Sequence, residues 1–60
     1  MAGAHVLVVD DEDDLRDVVC TLLERAGLRT TGAINGQQAL RVLYDERPDL
    51  VVLDLSLIHI

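Results

Sequence analysis

Val6-Leu7-Val8-Val9-Asp10-Asp11 runs four apolar residues straight into two adjacent carboxylates, and Glu12, Asp13 and Asp14 extend the acid run to five. A continuous apolar run of this length, richer in Val than in Leu and bounded by charge, reads as a strand covered on both faces rather than as a helix. It predicts a central parallel strand from His5 to Val9 with a strongly negative carboxyl end. Each close pair of those acids costs about 3 to 4 kcal/mol at an effective dielectric near 20, so a cation is expected there.

Downstream of the acids, Leu15, Val18, Val19, Leu22, Leu23 and Ala26 fall at i, i+3, i+4, i+7, i+8 and i+11, the spacing of one buried helical stripe. This predicts a helix from Asp14 to Ala26. Asp13 is the expected N-cap, Asp14 sits where the helix dipole favours negative charge, and Gly27 supplies a left-handed terminator. Cys20 lies off the centre of the stripe and has no visible base partner, so it reads as a partly exposed flank residue rather than a reactive thiol.

Leu28 to Ala33 is short, with Thr30 and Thr31 at its centre and Gly32 near its end, and reads as a weak strand at a sheet edge. Asn35 is a candidate N-cap for a second helix opening at Gly36, with Ala39, Leu40 and Leu43 on its buried side and Pro48 stopping it. Asp49 to Leu55 is a second doubly buried strand signal, interrupted by Asp54. An isolated Asp inside a buried apolar strand is costly unless it is paired or coordinated.

Strand, helix, strand, helix, strand implies right-handed crossovers and a parallel sheet with helices on both faces. Splitting two helices between the faces gives spatial strand order 2-1-3. Sites in such sheets lie at the carboxyl ends of the strands where the winding reverses, and here those ends carry Asp10, Asp11 and Asp54. Neighbouring strands are about 4.8 Å apart, close enough for these carboxylates to share a hard cation bound through oxygen, and Mg²⁺ is the natural candidate.

Composition narrows the alternatives. Sixty residues make at most one small domain, and a net charge of −6 with half the residues apolar and a single Tyr suits an acidic α/β unit rather than a disordered chain. The five cations are all Arg (16, 25, 29, 41, 47) and scattered, which argues against nucleic-acid binding by this segment. No apolar run is long enough to span a bilayer. One Cys permits no intramolecular disulfide, and no charged segment followed by an apolar one precedes the first strand, so the expected location is the reducing cytoplasm. His5 reads as a strand-start residue and His59 as a tail residue, neither with a second His or Cys at ligand spacing.

Taken together, Val-Leu-Val-Val-Asp-Asp-Glu, Gly27-Leu28, Ala33 through Asn35-Gly36, Ala39-Leu40 and Arg47-Pro48-Asp49-Leu50-Val51-Val52-Leu53-Asp54 resemble the receiver domain of bacterial two-component response regulators, in register over residues 5 to 55. The resemblance implies a flavodoxin-like, doubly wound parallel sheet, truncated to β-α-β-α-β in order 2-1-3. It also implies a phospho-accepting regulatory domain rather than an enzyme. A sensor histidine kinase or phosphotransfer protein would donate a phosphoryl group to Asp54 with Mg²⁺ alongside. Asp11 matches the family's direct metal ligand, Asp10 the acid that acts through a bound water, and Ser56 the position whose backbone carbonyl completes the metal site.

The resemblance makes residues 1–55 the N-terminal half of a receiver domain. The family's second half carries a Ser/Thr hydroxyl and a Lys, and this chain has no Lys, so its own phosphorylation is expected to be impaired. After Leu55 the family continues with Met-Pro and an acidic-Gly turn, whereas Ser56-Leu57-Ile58-His59-Ile60 reads as an off-pattern tail, residues 56–60. An apolar tail extending the third strand leaves that edge unprotected and open to self-association. Two other classes share parts of the pattern. A Mg²⁺-dependent phosphohydrolase with an Asp nucleophile would favour Asp-x-Asp, which Asp54-Leu55-Ser56 does not supply, and a binding-only pseudo-receiver would keep the fold without the metal.

Overall fold

The computed structural model describes residues 3–53, so the expectations for Asp54, Leu55, Ser56, His59 and the tail concern residues outside the described range. Five elements follow in order: β1 (His5–Val9), α1 (Asp13–Arg25), β2 (Arg29–Ala33), α2 (Gly36–Glu46) and β3 (Leu50–Leu53). The three strands form one sheet in the order β2-β1-β3, all parallel, as the winding argument requires. In register, Val9 lies beside Ala33 on one side and Leu53 on the other.

β1 is the centre of the molecule. Val6, Leu7, Val8 and Val9 are each at most 2% exposed, and burial of such side chains stabilises by about 1.5 to 3 kcal/mol each. Strand alternation divides the packing between two layers. On one face Thr30 Oγ1 donates to Glu24 Oε2 of α1 at 2.9 Å and Gly32 lies against the Arg16 side chain. On the other, Leu7, Val9, Ala33 and Ala39 form the buried core, with Val42 of α2 packed against it.

That second face is closed at its lower end by a polar chain. Thr31 Oγ1 donates to Glu46 Oε1 at 2.8 Å and lies 2.7 Å from His5 Nε2. Because the one hydroxyl proton is used on Glu46, Nε2 of His5 must be the donor to Thr31, which assigns the ring's protonated nitrogen. The His5 backbone N–H donates to Asp49 Oδ2 at 2.8 Å and its carbonyl accepts from the Asp49 N–H at 2.7 Å, fixing the entry to β3.

Three departures from the sequence expectations share one physical cause. The helices lie over β2 and β1 rather than over β3. In α1 the half-buried residues are Arg16, Val19, Cys20 and Leu23, again at i, i+3, i+4 and i+7 but turned by one residue from the expected stripe; Leu15, Val18, Leu22 and Ala26 are exposed. In α2 Ala39 is buried as expected, but Leu40 and Leu43 are exposed. β3 is not covered on both faces, since Leu50, Val51 and Leu53 are all exposed.

The helix ends are resolved in detail. α1 starts one residue earlier than expected: Glu12, not Asp13, is its N-cap residue, and no side chain caps it. At its other end Gly27, at φ +90°, donates to the Glu24 carbonyl while Leu28 donates to the Leu23 carbonyl, the paired bonds of a Schellman terminator. Asn35 caps α2 as expected, its Oδ1 accepting from the Gln38 N–H at 2.9 Å, and Gln38 Oε1 accepts in return from the Ile34 N–H at 3.0 Å. α2 ends at Glu46, ahead of Pro48, through Arg47 in a left-handed conformation.

Candidate functional site

The carboxyl end of β1 passes into α1 through Asp10, Asp11 and Glu12. The Asp10 N–H still donates to the Ala33 carbonyl at 3.0 Å, so Asp10 extends the ladder by one residue beyond β1. It is only 3% exposed. Its Oδ1 accepts the Glu12 N–H at 2.8 Å, a local turn that bends the chain into the helix. Asp11 is exposed, and among the described residues its carboxylate enters no hydrogen bond or ion pair.

A pocket of about 160 Å³ opens here between the ends of β1 and β3, walled by Val8, Val9, Leu15, Val19, Val52 and Leu53, with Asp10 also on its lining. The site therefore combines an apolar wall with a buried carboxylate at a strand end. Among the described residues no three His, Cys, Asp or Glu side chains are grouped to hold a metal ion. Two of the expected ligands, Asp10 and Asp11, are adjacent at this end; Asp54 and the Ser56 carbonyl lie outside the described residues.

The cation that the acid run demands is present within the chain, at a residue the sequence reading did not single out. Arg16 Nη1 donates to the Asp10 carbonyl oxygen at 2.8 Å and Nη2 to Asp13 Oδ1 at 2.6 Å. The hydrogen bond it donates to Asp13 raises the guanidinium above its ordinary pKa, burial opposes this, and the charges of Asp13, Asp17 and Asp10 add to it. Asp13-x-x-Arg16 is an i,i+3 pair of opposite charge, the spacing that could have revealed it. The guanidinium engages the Asp10 carbonyl and leaves the carboxylates of Asp10 and Asp11 to other partners.

The sequence has counterparts in known proteins. The family profile of the response regulator receiver domain matches residues 6–60. This chain belongs to the response regulator receiver domain family. It is similar to the phosphate regulon transcriptional regulatory protein PhoB of Pseudomonas aeruginosa, 44% identical over 57 residues covering 95% of this chain and 25% of the relative. It is similar also to sporulation initiation phosphotransferase F of Bacillus subtilis, 39% identical over 57 residues, 95% of this chain and 46% of the relative. The regulatory protein AtoC of Escherichia coli is 38% identical over 53 residues, 88% of this chain and 12% of that protein. The chain thus spans less than half the length of each. As a receiver, it has the three-stranded parallel sheet in the order the resemblance implies, and no helix among its described residues is long and apolar enough to cross a membrane.

Proposed function

We propose that this receiver accepts a phosphoryl group on Asp54 from a sensor histidine kinase or phosphotransfer protein, with Mg²⁺ held by Asp10, Asp11, Asp54 and the Ser56 carbonyl. The observation that carries the reading is the register: Val9, immediately before Asp10, pairs with Leu53, immediately before Asp54. A strand continued in that register would bring Asp10 and Asp54 abreast at neighbouring strand ends, about 4.8 Å apart. The donor set is all oxygen, which suits a hard dication, and a 3% exposed Asp10 carboxylate beside an apolar wall gains from such a partner.

In this reading one Asp54 carboxylate oxygen forms a bond to phosphorus as the bond from phosphorus to the donor's leaving atom breaks, giving an acyl phosphate. A bound Mg²⁺ supplies charge neutralisation for the phosphoryl oxygens. The chain's own contributions would be placement of the acids by a register continued from β3 and a buried Asp10 carboxylate set beside the apolar Val8 and Val52. Asp10 would act through a bound water and Asp11 directly. The function is regulatory: the phosphorylated state biases the sheet toward a partner, and the cytoplasm is the compartment that suits it.

The test is incubation of the 60-residue chain with a small acyl phosphate donor and Mg²⁺, followed by mass spectrometry. Addition of one phosphoryl group, absent in Asp54→Asn and in chelator, is the expected result. Its rate should be about 10² to 10³ below that of a receiver that has a Lys, because no Lys is present here to stabilise the transferring oxygens. Phosphoryl addition that persists in Asp54→Asn contradicts the assignment.

A further inference from the structure

Arg16 stands where three elements meet. Its planar guanidinium reaches the Asp10 carbonyl, at the end of the β1 ladder, and Asp13 Oδ1, at the start of α1, at 2.8 and 2.6 Å. Its stem crosses β2 at Gly32, where an added Cβ would come 3.1 Å from Arg16 Cδ and 3.2 Å from Nε. Between the two anchors lie only Asp11 and Glu12, and the Glu12 N–H is taken by Asp10 Oδ1. One side chain thus pins both ends of the acid loop, and a glycine in the neighbouring strand makes room for it.

We propose that Arg16 is the positioning residue of the acid site: it holds the β1–α1 loop in the conformation that presents the Asp10 and Asp11 carboxylates together to a divalent cation. The inference rests on the metal reading given above. A guanidinium near a metal site has a second consequence of opposite sign, since it repels the incoming dication. With Asp10 at 3% exposure and Arg16 half-buried, that repulsion is only partly screened. Loss of a group that orients ligands changes it by about 10- to 100-fold. The two effects have opposite signs, so the direction of the change in affinity tells them apart, and the fork geometry that binds a carbonyl and a carboxylate at once is specific to Arg.

The experiment is a Mg²⁺ titration of the full chain with amide hydrogen exchange followed by NMR, on wild type, Arg16→Gln, Arg16→Lys and Gly32→Ala, with Asp11→Asn reporting on the metal reading itself. Gly32→Ala requires the Arg16 stem to give by a few tenths of an ångström without changing any charge, so an effect there is positional. Metal-free Arg16→Gln should exchange the Glu12 amide several-fold faster than wild type and bind Mg²⁺ at least about tenfold more weakly, and Gly32→Ala should move both in the same direction by less. Arg16→Lys, which keeps the charge and loses the fork, should fall between. Glu12 exchange unchanged in both variants overturns the proposal, as does tighter Mg²⁺ binding in Arg16→Gln with Gly32→Ala equal to wild type, which marks a counter-charge only. If wild type and Asp11→Asn are alike indifferent to Mg²⁺, the metal reading fails and with it the presentation to a cation, whereas faster Glu12 exchange in the variants would still establish the hold of Arg16 on the loop.

Discussion

Asp10 is asked to do two things with one carboxylate: close the turn into α1 through the Glu12 N–H, and face a pocket at the sheet's end. The two demands separate by substitution. Asp10→Asn keeps a side-chain oxygen for the Glu12 N–H and should leave urea stability nearly unchanged while weakening Mg²⁺ binding; Asp10→Ala strands that donor and should cost about 1 to 3 kcal/mol as well. Capping offers a second contrast. Asn35→Ala removes a bond to Gln38 and should destabilise by about 1 kcal/mol, whereas Glu12→Ala, at a cap residue with no side-chain bond, should stay within about 0.5 kcal/mol in the same denaturation series. The pH response follows from Arg16. A cation whose pKa is raised on folding contributes stability that is complete below its unfolded value and lost only as pH rises through the folded one, a window above the ordinary arginine range. Its tie to Asp13 is therefore constant, on the arginine side, across neutral pH.

Among the elements, β1 carries the stability. Leu7→Ala should cost about 2 to 5 kcal/mol, enough to unfold a domain of this size, while Leu22→Ala on the uncovered side of α1 should change it by no more than about 0.5 kcal/mol. Chemical denaturation of the two variants checks the contrast. β1 was legible from its sequence to the residue, and so were the order of the strands, the Asn35 cap and the Gly27 terminator, because each depends on local chemistry or on chain connection. The buried side of α1 was not. Periodicity reports which residues are apolar, but not which neighbour lies over them, and with both helices set over β2 and β1 the half-buried stripe became Arg16, Val19, Cys20 and Leu23. An arginine on that stripe does not register in an apolar count, so the residue that bridges the acid loop escaped it. The spacing Asn35-x-x-Gln38 carried the reciprocal bond at the start of α2, and only its first half was read.

For the molecule as a whole, the distribution of apolar surface is uneven. Leu50, Val51 and Leu53 of β3 are exposed, and among the described residues β3 has one strand neighbour, β1. A strand with an open edge and uncovered apolar side chains is a template for pairing. Sedimentation of the chain should show mass rising with concentration, and Val51→Lys should suppress the rise; association unaltered by that substitution would move the contact away from β3. The relatives PhoB and sporulation initiation phosphotransferase F are longer than the stretch that matches this chain, which covers 25% and 46% of them.

In the proposed function, acids that follow β1 and β3 act on one Mg²⁺. The most direct measurement is Mg²⁺ affinity by titration, with circular dichroism confirming the fold, in wild type, Asp11→Asn and Asp54→Asn. Saturable binding that falls sharply in both single variants is expected, because each removes one contribution to a shared ion. Binding that is indifferent to Asp54→Asn in a folded chain would contradict that function, leaving the β1 acids as a charged helix start held by Arg16.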